Sequence, residues 1–535
     1  MPATSDTAAL LPLARWAASL RYEQIPEPVR QAARMQVLDM VAALHAAARS
    51  HESHCVRSGL PQFAGPGRAH VLHDGSRCAP HDAALANAAC SMTQDYDDIV
   101  WMGHTCHSAV FAPLAVAEHE SAGAREFITA VVVATEIAGR LGASAFLGPL
   151  NGQMWTFIHL IGAAAGAATI LNLTPEQTAH AMAIALAQPN FALQPGFMVP
   201  TSKLLAAATP TATGIQAAYF ARAGMTGALD ILEDSRGFWR RFSFLPLPGM
   251  LGGLGTFWAL QTLTVKTYPG CHYFQTAVSA IDELEQGGRL ESAAIESVHV
   301  ETTKLGMEVS RFARSYTTGT TAIEPVNVNF DLGITLAIRI LAGRLTSQEV
   351  QPEWLHEHTA AIRALQRTIR VVHAPELTRH TLMSARAVNS GADALQSIGL
   401  RDLWSLRQRY SAEYNSSLAS PRELGQWLRA IWRSTHRPSG PRPELVPGTV
   451  PLYFPSRVTL RLRDGTVRTA QVLLPRGSVS SPQALAELHR KFSGEVAPSL
   501  GEAGAAEAWQ LGLGLGMDGA GQDLATFVTA CSGGR

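Results

Sequence analysis

The chain has 535 residues, 47% hydrophobic and only 16% charged, which supplies a large core and excludes an intrinsically disordered composition. Its 43 basic residues balance 43 acidic ones, so no general field is present to hold nucleic acid or an anionic membrane, and any anionic ligand must be met by local charge. The start of the chain has no basic region leading into an apolar run, and the longest apolar stretch, Leu160 to Leu171, falls far short of the roughly 20 residues of a membrane span. The expectation is a soluble cytoplasmic protein with neither nucleic acid nor membrane as partner.

In chain order, Pro28 in a first turn and apolar residues at spacings of three and four predict a helix to about Ala48. Further helices are predicted at 81–94, 108–119, 124–143, 158–171, 175–187 and 203–223. Between the first and second of these lies Asp95 to His107, D-Y-D-D-I-V-W-M-G-H-T-C-H, where three carboxylates and two imidazoles surround Trp101 and Met102. A connection between packed helices is a place where polar groups converge on a cleft while rigid elements hold them. The competing reading is a solvated loop whose aspartates cap the next helix and whose histidines bond the backbone. Helix 158–171 is apolar on every face apart from His159 and Thr169, so it is expected to be buried, and its histidine needs a partner, structural or reactive.

Only four of the basic residues are lysines: Lys203, Lys266, Lys304 and Lys491. In a chain where arginine is the default cation, a retained lysine marks a site needing a compact ammonium or a tunable pKa. Lys304 and Lys491 are read as chance survivors, and Lys491 as a neutral position. Lys203 opens the 203–223 helix, where the dipole disfavours a cation, lowers its pKa and calls for an anion nearby; a solvated first-turn lysine is the alternative. The six cysteines contain no C-x-x-C pair, which fits neither a disulfide framework nor a zinc site. The glycines of 249–255 are no dinucleotide fingerprint, because no apolar strand leads into them and no acid follows at about 20 positions.

From Lys266 the pattern alternates: helix 274–286, strand 294–302, helix 329–343, strand 368–374, then a hairpin about Arg463-Asp-Gly-Thr. The predicted fold is mainly α, with a helical domain over 1–265, a smaller α+β domain over 266–480 carrying an insert near 395–441, and a helical segment, 481–535, returning to the first domain.

These residues resemble the MmgE/PrpD family. The resemblance covers most of the chain and rests on D-Y-D-D with the following G-H and S-A-V, on His159 before G-A-A-A-G-A-A, on Lys203 before T-G-I-Q-A-A-Y-F-A-R-A-G-M-T-G, on L-E-D-S-R-G-F-W and on Lys266-Thr-Tyr-Pro. It implies a large all-helical domain built from both chain ends, a smaller α+β lid, a homodimer, and cofactor-free chemistry on a small anionic carboxylate in the cleft between domains. It also implies a catalytic set of Asp95, His104, His159, Lys203 and Lys266, with His107 and His272 binding substrate and no metal ligand. An extra T-C before His107 leaves open which of His104 and His107 matches the family imidazole. Ile99, Ile334 and His272 stand where the family pattern has threonine, tyrosine and arginine, removing groups that a tricarboxylate would otherwise meet.

The chemistry of these residue types agrees. Proton removal alpha to a carboxylate needs a base near neutrality and cations for the developing enediolate, which histidine and lysine supply without metal. Lys203 and Lys266 are expected to hold substrate carboxylates, His159 or His104 to move the proton, and Asp95 to orient His104 or protonate a leaving group. Dehydration is the foremost outcome, with decarboxylation or epimerisation open. A noncatalytic binding or assembly protein is the alternative, to be judged by whether His159, Lys203 and Lys266 converge. A metal-dependent lyase built on Asp95, Asp97, Asp98, His104 and His107 would need ligand spacings that match no established pattern. The homodimer contact is expected in the first domain, because helix 158–171 is more apolar than one small domain can cover.

Overall fold

A computed structural model describes residues 8–101, 103–149, 156–198, 201–286, 288–317, 322–386, 388, 398–414, 444–518 and 523–533. The helices of the first part are α1 (Leu10–Ser19), α2 (Glu27–Ala46), α3 (His51–Gly59), α4 (Pro80–Ser91), α5 (Cys106–Glu120), α6 (Ala124–Ser144), α7 (Phe157–Ile170), α8 (Pro175–Ala187), α9 (Gln194–Met198) and α10 (Leu205–Arg222). Proline in the first turn starts α2, α4 and α8, and Thr174 caps α8 in a capping box with Gln177. The glycines and alanines of α7 serve close approach: it packs against α5, α6, α8 and α10 within this one chain. A Cβ added at Gly214 of α10 would lie 2.4 Å from the Leu160 carbonyl oxygen, and one at Gly166 would lie 2.8 Å from Pro113 Cγ. Burial of α7 inside its own chain accounts for the apolar surface from which a dimer contact in the first domain was expected. Helix α6 is long and apolar enough to cross a membrane, but it is wholly buried in the core.

After a short helix, α11 (Phe238–Phe242), comes the α+β part, with α12 (Gln275–Leu284), α13 (Lys304–Thr317), α14 (Pro325–Phe330), α15 (Leu332–Ala342), α16 (Pro352–Gln366), α17 (Pro375–Arg386) and α18 (Leu400–Tyr414). A small ribbon, β1 (Ala69–His70) with β2 (Arg77–Cys78), belongs to the first part. The larger sheet holds β3 (Ile295–Thr302), β4 (Ile369–His373), β5 (Ser456–Leu462) and β6 (Val467–Val472) in the order β4-β3-β5-β6. Strands β3 and β4 are parallel, the other neighbours antiparallel. Val298, Val300, Val458 and Leu460 are buried, and α12 covers β5 and β6. The hairpin is where the sequence places it, with Gly465 at φ 86° and Asp464 accepting from the Thr466 amide.

The single helix expected over 329–343 is two, because Asp331 caps α15 by accepting from the Gly333 and Ile334 amides and ends α14 there. Of the insert expected over 395–441, only 398–414 lies within the described residues, as α18. The last helices are α19 (Ala484–Gly514), broken at Gly501 where φ is 76°, and α20 (Leu524–Cys531). Helix α19 packs along α2, with Arg34 donating to the Leu515 carbonyl at 3.0 Å. Lys491 of α19 corrects the reading of it as a neutral position: it is 5% exposed and its Nζ lies 2.6 Å from Asp39 Oδ1 of α2.

Candidate active site

The stretch between α4 and α5 is not a solvated loop, since Asp95, Asp97, Asp98, His104 and His107 are all buried. Its backbone is stitched to the segment before Lys266, with Ile99 and Thr264 exchanging amide to carbonyl bonds of 2.9 Å each way. Asp95 itself is held at φ 52°, the left-handed region, at a cost of order 1–3 kcal/mol that the surroundings must offset. Ile99, buried and bridged in this way, is a packing residue, and Ile334 is likewise buried in α15.

Asp95 is the hub. Its two carboxylate oxygens meet two ammoniums, Lys203 Nζ at 3.4 Å and Lys266 Nζ at 3.3 Å. Lys266 also reaches Asp97 Oδ1 at 3.3 Å and donates to the Asp95 carbonyl at 2.7 Å. Lys203 lies in a one-turn helix, Thr201–Leu204, that leads into α10. Its Nζ is 4.7 Å from the Phe330 ring centroid and 5.8 Å from that of Phe197. With the Asn329 amide turned so that its oxygen faces Lys203, it accepts from Nζ at 3.1 Å and donates to the Gln94 carbonyl at 3.2 Å. Thus α14 of the α+β part completes the surroundings of an ammonium carried by the helical part.

His104 does not take its partner from Asp95, as expected, but from Asp97, whose Oδ2 lies 2.5 Å from His104 Nδ1. Asp95 is unavailable because both lysines face it. The two imidazoles left open by the sequence differ in surroundings. His107 is wholly enclosed, with Nδ1 2.8 Å from Ser91 Oγ and Nε2 3.4 Å from Asp97 Oδ2, whereas His104 keeps 6% exposure and Nε2 free of a hydrogen bond among the described residues. His159 takes a hydroxyl as its partner. Its Nδ1 lies 3.2 Å from Ser108 Oγ and its ring stands 5.7 Å from that of His107. His272, in the turn before α12, packs edge-on against Phe454 at 4.8 Å, and among the described residues neither ring nitrogen has a hydrogen-bond partner. Asp97 was weighed only as a metal ligand, not as the partner of His104 and Lys266, and Asn329 was missed altogether. The D-Y-D-D run carried the signal for the first, while nothing local marks the second.

Burial alone would raise both carboxylates, yet Lys203 and Lys266 hold Asp95 below the usual range, and Lys266, His104 and His107 hold Asp97 well below it. The ammoniums move in opposite directions. Burial outweighs the single carboxylate at Lys203 and lowers its pKa, whereas Asp95 and Asp97 together outweigh burial at Lys266 and raise it. Burial lowers His104 despite Asp97, and burial with His107 and His104 pushes His159 well below its ordinary value. Burial thus favours the neutral imidazole at His104 and His159, while Asp95 and Asp97 favour the ammonium at Lys266. Donor atoms of Asp97, Cys106 and His107, and of Asp95, Asp97 and His104, lie close enough together to surround a cation. The positive charge there is already Lys266, 3.3 Å from each of the two carboxylates, and burial holds the Cys106 thiol well above its usual range, so a divalent ion fits poorly.

Fold and site together define a class: a helical domain with an α+β part that encloses a Lys/His/Asp cluster. Residues 12–246 match the MmgE/PrpD N-terminal domain. The curated relatives include a cis-aconitate decarboxylase of Aspergillus terreus, 26% identical over 314 residues, 54% of this chain and 64% of the relative. A cis-aconitate decarboxylase-like protein, oryM, of Aspergillus oryzae is 26% identical over 300 residues, 51% of this chain and 61% of the relative. The chain thus spans about three-fifths of the length of these relatives, and over residues 12–246 it is similar to the MmgE/PrpD N-terminal domain.

Proposed function

We propose that the chain is a cofactor-free lyase that moves a proton at the carbon alpha to a carboxylate of a small di- or tricarboxylate and expels water or carbon dioxide. The observation that carries this reading is the convergence of Lys203, Lys266, His104 and, through His107, His159 around Asp95 and Asp97. A noncatalytic binding protein has no need of that convergence, nor of the strain stored at Asp95.

In this reading a substrate carboxylate competes with Asp95 for Lys203, whose 3.4 Å contact is long for an ion pair. The ammoniums then stabilise the negative charge that builds on the carboxylate as an enediolate forms, a contact stronger in the transition state than in the bound substrate. A neutral imidazole takes or returns the proton at carbon. His104 is better placed than His107, because Asp97 fixes its Nδ1 and leaves Nε2 for substrate. The names of the relatives make cis-aconitate, with carbon dioxide release, the first reaction to test, and dehydration of a hydroxytricarboxylate the second. Turnover is expected to survive exhaustive chelation. Loss of turnover on chelation with recovery on adding a divalent metal would transfer the Asp95 to His107 cluster from acid–base chemistry to metal ligation.

A further inference from the structure

Two successive carbonyls of the site loop are each gripped by a buried ammonium. Lys266 donates to the Asp95 carbonyl at 2.7 Å, and Lys491 of α19 donates to the Tyr96 carbonyl. The chemistry proposed above makes no use of Lys491. Its Nζ is set 2.6 Å from Asp39 Oδ1 of α2 and lies 4.0 Å from the centroid of the Tyr96 ring. Tyr96 in turn donates from its hydroxyl to the Thr267 carbonyl at 3.1 Å, and Thr267 is the residue after Lys266. One residue, Tyr96, therefore ties the Lys491 ammonium through its carbonyl to the backbone between Asp95 and Asp97, and through its ring and hydroxyl to the segment that carries Lys266. A residue at positive φ such as Asp95 persists only where its neighbours over-determine it.

We propose that Lys491 is a positioning residue for the active site. Held by Asp39, its ammonium fixes Tyr96 so that Asp95 and Asp97 present their carboxylates to Lys203, Lys266 and His104, and so that the Lys266 segment stays in register. This also accounts for a lysine in an arginine-rich chain. A compact ammonium meets a carboxylate, a carbonyl and a ring face from one point, which a planar guanidinium does not. The chemical consequence rests on the function proposed above; the positional one does not.

Lys491→Met by itself leaves Asp39 buried without its cation, so lost activity would follow from misfolding alone. The deciding variant is Lys491→Met with Asp39→Leu, which removes the pair as a unit. Melting temperature, turnover of cis-aconitate and amide hydrogen exchange of a peptide covering 92–101 are measured for wild type and both variants. The double variant is expected to melt near wild type while kcat stays about tenfold or more lower and 92–101 exchanges about tenfold faster, with α7 unchanged. A double variant that fails to fold, or that regains kcat and protection along with its melting temperature, makes Lys491 a fold residue and overturns the proposal. If wild type turns over none of the carboxylates tested, the proposed function fails, and exchange in 92–101 decides the role of Lys491 by itself.

Discussion

Lys203 makes the sharpest demand on residue identity. Its ammonium is enclosed by Asp95, Asn329 and two aromatic rings, a space matched to a small cation. Lys203→Arg is expected to cut turnover per folded molecule by roughly ten- to a thousandfold, since the wider guanidinium cannot occupy the same point and a transition-state charge contact is lost. The melting temperature should fall too, because the site is buried. Lys304→Arg is the control: Lys304 is partly exposed and pairs with Glu308 at 3.1 Å, four positions on, a contact worth well under about 1 kcal/mol. Equal turnover per folded molecule in the two variants would remove Lys203 from the reaction. His272 poses a different question, being buried with both nitrogens unbonded among the described residues and its pKa pushed well below the ordinary 6.5, first by burial and then by Lys266 and His104. A histidine depressed in the folded state binds fewer protons there than when unfolded, so its contribution to stability is lost as pH falls through the unfolded value. His272→Leu should therefore raise the melting temperature relative to wild type by an amount that grows from about pH 8 to about pH 5.5. Calorimetry across that range tests this, and a gain that shrinks on acidification would contradict it. If His272 also meets substrate, the same variant loses turnover while gaining stability.

At the level of elements, the tight seam between α7 and α10 depends on glycine. Alanine at 214 gains up to about 1 kcal/mol of helix propensity, but its Cβ would clash with backbone at 2.4 Å from the Leu160 oxygen, a kind of overpacking that costs typically 1–3 kcal/mol or more. Gly214→Ala is expected to lower stability in denaturant titration. Gly494→Ala in α19, where a new Cβ meets nothing within 4 Å, is expected to raise it by roughly 0.5–1 kcal/mol. A neutral or stabilised Gly214→Ala would mean that α7 and α10 separate without cost. Most helices of the first part were legible because each buries one face or, as in α7, all of them, and the spacing of apolar residues records that directly. The break at Asp331 was not legible, because Leu332 to Ala342 reads as a continuation until the carboxylate is seen accepting the amides that begin a new helix.

For the whole molecule, assembly has to be argued from what the chain leaves uncovered. Helix α7 is covered internally, whereas Leu205 and Phe220 are about half exposed and, 15 positions apart, lie within about 60° of each other around α10, with Met225 exposed beyond Phe220. A homodimer through that face is the expected state, read by sedimentation at micromolar concentration, with Phe220→Glu giving monomer. A wild-type monomer under those conditions would overturn it. By itself the sequence determined the helical periods, the small residues that let helices approach, the polar cluster at Asp95 to His107 and, through the scarcity of lysine, two of the ammoniums that cluster needs. Those are properties of composition and spacing, and each can be read within a few turns of chain. Only the tertiary structure decided that His104 is held by Asp97 rather than Asp95, that Asn329 closes on Lys203, and that Lys491 is no bystander. Each of these pairings depends on where elements far apart in sequence come to rest: Asp39 and Lys491 are 452 positions apart, and no local pattern records a partner at that distance.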